Sequence, residues 1–240
     1  DDNMISFELL KNMCIEPDYG KAYYRPFICN GDLTKVDIFF VGINPATPIF
    51  PSEMDINEYV ELLLNYDNFI DYYRTNRTSL KKNETSRTRI GMNSFFSWLS
   101  NHTECAILET DVIPYPTVNL KELKKEPKYV IDKGKDIFYS LVMEFKPSLL
   151  ILHGKKTVEH VNETFIEKGL ILPNEMNVEQ SIEEMEQQSP LMTFKYNNGK
   201  IGIIMACRHF MYYGNKGNSF KPFRQRILRY LIDFDNKIFY

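Results

Sequence analysis

Four short apolar runs, set apart by helix-length spacers, constrain this chain more than any other feature. They are Val36-Asp37-Ile38-Phe39-Phe40-Val41, Cys105-Ala106-Ile107-Leu108, Leu149-Leu150-Ile151-Leu152 and Ile201-Gly202-Ile203-Ile204-Met205-Ala206. Each is nearly continuous rather than alternating, as expected of strands buried on both faces of a parallel sheet. Between them, Ile137, Phe138, Leu141, Val142 and Phe145 share one helix face that Pro147 ends. Val158, Val161, Phe165 and Ile166 share another, closed by Gly169. Asn57 to Arg74, Ser94 to Asn101 and Phe223 to Phe234 also read as helices. Strands alternating with helices predict a three-layer α/β fold. Its sheet is four-stranded and mainly parallel, with helices on both faces and right-handed crossovers.

Residues 1–240 read as one domain, without an internal repeat or a linker. Met192 to Tyr196, Asn197-Asn198-Gly199 and Lys200 onward predict a hairpin that feeds the last strand. It belongs to a surface insertion at about 170–198. Within that insertion, Glu175 to Glu186 holds five Glu and no Lys or Arg, a solvated stretch that offers itself to a protein partner.

No apolar run approaches the roughly 20 residues that span a bilayer, and the chain start lacks a basic-then-apolar signal pattern. Cys14, Cys29, Cys105 and Cys207 form no C-x-x-C pair, which predicts a reduced, cytoplasmic protein without disulfides. We expect a monomer with no membrane partner. The net charge of −3 gives no global attraction to nucleic acid, so any DNA binding needs a local basic patch.

In an open parallel sheet, ligands bind beyond the carboxyl ends of the strands. The four runs end in Gly42-Ile43-Asn44-Pro45, Glu109-Thr110-Asp111, His153-Gly154 and Arg208-His209. One sheet edge carrying Asn, Glu, Asp and two His is a candidate site.

The segment Val36 to Pro45 resembles the first motif of the mismatch-specific and single-strand-selective branches of the uracil-DNA glycosylase superfamily. There a strand runs into G-[IM]-N-P-G, and the Asn positions the water that attacks the sugar. Asn44 matches that residue, with Ala46 in place of the last Gly. Glu109-Thr110-Asp111-Val112 with Pro114-Tyr115-Pro116 resembles the family's T-N-V…P stretch, and Leu150 to Lys155 is similar to its L-G-K element. His209 stands where the family carries H-P-S, although Phe210-Met211 follow it here. The iron–sulfur branch has a cysteine spacing that this chain lacks, so no cluster, metal or other cofactor is expected. The resemblance implies a monofunctional DNA glycosylase of base excision repair, with Asn44 and His209 catalytic. Gly42, Phe50, Thr110 and Asp111 would line the base pocket, Phe50 by stacking on the flipped base.

The residue chemistry runs parallel. Breaking an N-glycosidic bond passes through an oxocarbenium-like sugar, so a catalyst needs an oriented water and a means of stabilising the departing base anion. Asn44 can hold a water without strongly deprotonating it, and His209 can donate to the leaving base's oxygen. The plainer readings are an Asx turn before Pro45 for Asn44, a packed histidine for His209 and ordinary core for Phe50. Asp111 stands where the family has a uracil-reading Asn. An ionised Asp only accepts and repels the O4 of uracil, which favours a base bearing an exocyclic amine. Alternatively the register slips, and Thr110 or Asn119 does the reading.

Arg74, Arg77, Lys81, Lys82, Arg87 and Arg89 face one acid, Glu84, in a stretch that Lys216 extends. Interleaved with Thr, Ser and Asn, these residues read as a DNA-contacting patch or a solvated face. Two among Phe210, Met211, Tyr212 and Tyr213 are candidates for a wedge filling the gap a flipped base leaves, or else the run is a buried loop. Two rival functions stand: a metal-dependent phosphodiesterase built on Glu109 and Asp111, and a binding module that cleaves nothing. Gly154-Lys155-Lys156-Thr157 is no P-loop, because Leu149 occupies the position of the required first Gly.

Overall fold

The computed structural model describes residues 5–188 and 190–237. Residues 1–4, part of the chain start read for a signal pattern, and Ser189, inside the 170–198 insertion, fall outside the described residues. In chain order the strands are β1 (Ile28–Cys29), β2 (Val36–Gly42), β3 (Ala106–Asp111), β4 (Leu149–His153), β5 (Met192–Lys195) and β6 (Ile201–Cys207). The four apolar runs are β2, β3, β4 and β6. They form a continuous parallel block, with β3 on one side of β2, β4 on the other, and β6 beyond β4.

The sheet is larger than the four strands expected: it is a mixed, six-stranded sheet in the order β1-β3-β2-β4-β6-β5. Both additions are antiparallel edges. β1 pairs only Ile28 and Cys29 with Glu109 and Leu108, too short a segment to register as a run. β5 is the first arm of the expected hairpin, with Gly199 in the left-handed conformation at its turn. It alternates buried Met192 and Phe194 with exposed Thr193 and Lys195. Alternation is the pattern of a half-covered edge, and such strands protect the buried block from open-edge pairing.

Helices cover both faces. One face packs Phe39, Val41, Leu108, Leu150, Leu152 and Ile204 against α1 (Phe7–Cys14), α2 (Ile56–Leu64), α6 (Lys128–Phe145) and α7 (Lys155–Glu167). The other packs Ile38, Phe40, Leu149, Ile151, Met205 and Cys207 against α4 (Arg87–Ser100) and α9 (Lys221–Lys237). Side chains alternate along each strand, so continuous apolar runs are what a sheet covered on both faces requires. Remaining helices are α3 (Tyr66–Ser79), α5 (Leu120–Leu123) and α8 (Ile182–Gln187). None of the described helices is long and apolar enough to cross a membrane.

Two local expectations are corrected. Asn57 to Arg74 is not one helix: α2 ends at Leu64, and Asn65 restarts the chain as α3 by accepting from the Asn68 N–H. An Asn side chain satisfies orphan N–H groups at a helix start better than it serves a helix interior. The acidic stretch is not wholly solvated either. Met176 and Met185 are buried, and Glu186 turns inward to Arg208, while Glu175, Glu179, Glu183 and Glu184 stay exposed.

From β2 the chain moves outward to β3, then returns to β4 on the far side of β2. Reversals of this kind open a crevice at the carboxyl ends of the strands. Here β2 lies at the reversal.

Candidate functional site

A cleft of about 320 Å³ opens at that end of the sheet. Its volume sits at the low end of ligand-sized clefts, roughly 300–1,000 Å³. Among its lining residues are Gly42, Asn44, Asp111, His153 and His209, so all four polar strand ends meet in one place. Phe40, Gly42, Glu109, Asp111 and His153 share a sheet face by alternation, and Gly42 is the register partner of Asp111.

Asn44 leaves β2 just before Pro45. Its amide nitrogen is hydrogen-bonded to the Tyr115 carbonyl at 3.1 Å and to Thr117 Oγ1 at 2.8 Å, with Pro45 O at 3.3 Å. Those bonds fix the amide's orientation and leave Oδ1 as the acceptor, which takes no hydrogen bond from any described residue. The side chain thus anchors the next loop rather than forming only a local turn.

Both histidines are held by consecutive backbone N–H groups. Phe210 N–H donates to His153 Nδ1 at 3.1 Å, and Met211 N–H donates to His209 Nδ1 at 3.0 Å. A neutral ring that accepts at Nδ1 carries its proton at Nε2. Burial, reinforced by His209 and Arg89, holds His153 well below the ordinary imidazole pKa, and burial lowers His209 as well. The rings lie 4.7 Å apart, and Phe40 stacks on His153 at 4.8 Å. Two neutral imidazoles with Nε2–H donors therefore stand side by side. Gly91 allows this arrangement: a Cβ there would lie 2.6 Å from the Phe210 carbonyl, so only glycine lets α4 approach the histidine loop.

Of the three residues considered for reading a base, two are engaged elsewhere. The Thr110 hydroxyl donates to the Pro26 carbonyl at 2.7 Å, and the Asn119 side chain caps α5. Asp111 makes no side-chain hydrogen bond to a described residue. Burial pushes its carboxyl up to about 7, with Glu109 adding to the rise and Arg25 and Arg89 opposing it. Phe50 packs against the core and does not line the cleft; Phe27, Phe40, Phe69 and Tyr73 do.

The basic residues separate by location. Arg89 turns into the cleft wall and pairs with the buried Glu109, so its charge is neutralised within the fold. Arg77 lines the cleft, donating from Nε to the Asn83 carbonyl at 2.7 Å. Arg74 lies near Glu84 at 3.6 Å. Lys81, Lys82, Arg87 and Lys216 are exposed. Arg87 shares a shallow groove with Met211 and Tyr212, both exposed, whereas Phe210 and Tyr213 are core residues.

No family model matches the chain, and no curated protein matches it either. The phosphodiesterase reading needs Glu109 as a ligand, but Arg89 already occupies that carboxylate. Among the described residues, no three His, Cys, Asp or Glu side chains are grouped to hold a metal ion.

Arg25 and the Glu186–Arg208 contact were not among the residues the sequence pointed to for the site, whereas His153 was marked as one of the two histidines that end apolar runs. Arg25 lies outside every run and carried no signal. Glu186 accepts from the Arg208 backbone N–H and from its Nε, both at 3.0 Å, and so braces the residue before His209 from the insertion.

Proposed function

We propose that this protein is a DNA glycosylase of the uracil-DNA glycosylase type, hydrolysing the N-glycosidic bond of a base flipped into the cleft. The observation that carries the reading is the meeting of a pre-oriented Asn44 Oδ1 with two neutral Nε2–H donors in one base-sized cleft. Asn44 Oδ1 accepts from a water and aims it at C1′. The C1′–N bond breaks first, its electron pair leaving with the base; the water oxygen then bonds to the oxocarbenium carbon as one of its O–H bonds breaks, and the released proton passes to solvent, from which the base anion is protonated. His209 donates from Nε2 to the base oxygen on which charge develops, and His153 supports it from the adjacent strand. Donors of this kind act where charge appears in the transition state and need no reorganisation. A neutral imidazole is too weak an acid to surrender its proton readily, which suits an anionic leaving base.

Arg77 at the cleft, with exposed Lys81, Lys82 and Arg87, supplies phosphate contacts. Met211 and Tyr212 are the exposed members of the wedge run, and they stand beside Arg87. The test is mass spectrometry of bases released in single turnover from oligonucleotides carrying varied bases. Release by the native chain and its loss in Asn44→Ala are expected. Intact bases throughout at high enzyme would overturn the reading.

A further inference from the structure

A second cavity, of about 660 Å³, lies between α3, α4 and β3, behind the wall of the cleft. Ile70 and Glu109 line both spaces, whereas Arg89 lines only the cleft. Glu109 is therefore a partition with two sides. It is only 6% exposed and gives Oε1 to Arg89, while Oε2 takes no hydrogen bond from any described residue. Arg89 neutralises the charge, but a buried carboxylate with half its acceptor capacity unused calls for a donor. Tyr66 stands beside the pair: burial, with Glu109 adding to it, pushes its phenol up to about 12, so it is a neutral ring in the cavity wall.

The rest of the lining has a different character. Asp67 and Asp71 are exposed and one turn apart on α3, and neither has an ion pair or hydrogen bond among the described residues. Like charges at that spacing repel, and a cation between them relieves the repulsion. Arg74, the cation in the lining, is turned to Glu84 at 3.6 Å instead. Ile70, Phe96, Ala106 and Ile107 supply apolar wall. An accessible anionic pair, an apolar wall and a buried acceptor together describe a linear ligand, charged at one end and donating at the other.

We propose that this cavity is a second ligand site, separate from the cleft, that binds an aliphatic diamine or polyamine. One ammonium sits between Asp67 and Asp71. The methylene chain lies along Ile70 and Ile107, and the Tyr66 and Phe96 rings add cation–π attraction. The second amine donates to Glu109 Oε2, on the side away from Arg89, so two cations share opposite oxygens of one carboxylate. The site holds whether or not the chain excises a base.

The experiment titrates putrescine, spermidine, n-butylamine and magnesium chloride into the full chain by NMR, without DNA. The salt is about 0.15 M, where exposed charges are screened beyond roughly 8 Å. Putrescine or spermidine is expected to saturate one site and to bind at least about tenfold more tightly than n-butylamine, which lacks the second donor. Asp67→Asn with Asp71→Asn should weaken the diamine about tenfold, since two exposed charge contacts are lost. Both positions are exposed, and an unchanged thermal midpoint confirms that the double variant folds. Asp111→Asn, altered only in the cleft, should bind the diamine as the native chain does. Absence of saturable binding, equal binding of n-butylamine, displacement by equimolar magnesium, or a loss in Asp111→Asn as large as in the double variant overturns the proposal.

Discussion

Asp111 Oδ1 and His153 Nε2 converge over Gly42 from the two strands that flank β2, at 2.7 and 3.0 Å from the point where a Cβ at Gly42 would stand. The convergence follows from register and alternation. Asp111 pairs with Gly42 across β2 and β3, and His153 follows Leu152, which pairs with Val41 across β2 and β4. All three residues end their strands on one face. A side chain between them would fill the space where the carboxylate and imidazole face a ligand.

Gly42→Ala should therefore act on function before fold. The added methyl displaces Asp111 or His153, and misplacement of about 1 Å costs on the order of 100-fold in rate. The expected outcome is a loss of that size in single-turnover excision, with a change in thermal midpoint much smaller than that of a core cavity variant such as Phe95→Ala. Full activity in Gly42→Ala would show that the two side chains do not act over this glycine.

Asn44→Ala should lower excision by about two to three orders of magnitude, comparable to loss of one preorganised polar group. DNA affinity should stay near that of the native chain. Its bonds to Tyr115 and Thr117 add a stability cost of about 1–2 kcal/mol, read from denaturant midpoints. Unaltered excision would remove Asn44 from the chemistry.

Asp111 sets a pH dependence of known sign. Its folded pKa of about 7 lies above the roughly 3.9 of an unfolded Asp, so the unfolded chain gives up this proton first as pH rises. The stability tied to the neutral carboxyl is complete below about pH 4 and is lost as pH climbs through about 7. Asp111→Asn should accordingly raise the thermal midpoint more at pH 8 than at pH 5. In the native chain, excision should rise with pH through about 7 as Asp111 ionises and becomes a pure acceptor. Asp111→Asn should abolish that limb and leave any histidine limb below the ordinary imidazole range, because both rings are held low. An unchanged profile would show that another group titrates.

Glu186→Gln tests the brace from the acidic insertion. It removes the charge from the bonds to the Arg208 N–H and guanidinium, at an expected cost of about 1–3 kcal/mol. Excision should fall because His209 follows Arg208 directly, while charge removal at exposed Glu183 should change neither quantity. Equal effects of the two substitutions would mean that the insertion does not hold the histidine loop.

Charge reversal at Lys81, Lys82 and Arg87 together avoids Arg77, whose guanidinium also supports the loop at Asn83. Each lost phosphate contact should reduce the slope of log K against log salt by roughly one. A slope equal to that of the native chain would identify the run as a solvated face.

What the sequence determined by itself is the parallel block and its chemical edge. Continuous apolar runs require cover on both faces, and a polar residue is tolerated only where each run stops. Hence Asn44, Asp111, His153 and His209 were legible as a set before any fold was known. Local signals also sufficed for the Gly199 turn, the Gly169 helix end and the stop at Pro147. Tertiary structure decided what depends on partners distant in the chain. β1 is two residues long and exists because Leu108 and Glu109 offer it an edge. Arg89 looked like the rest of its basic run until Glu109, 20 residues on, neutralised it. Phe50 follows the Asn44 motif closely but turns into the core, and Phe69 supports the cleft from α3. Arg25 has no periodic neighbour to mark it. Its place in the cleft wall, with Nη1 buried and unbonded among the described residues, is decided by surrounding side chains and not by its own segment.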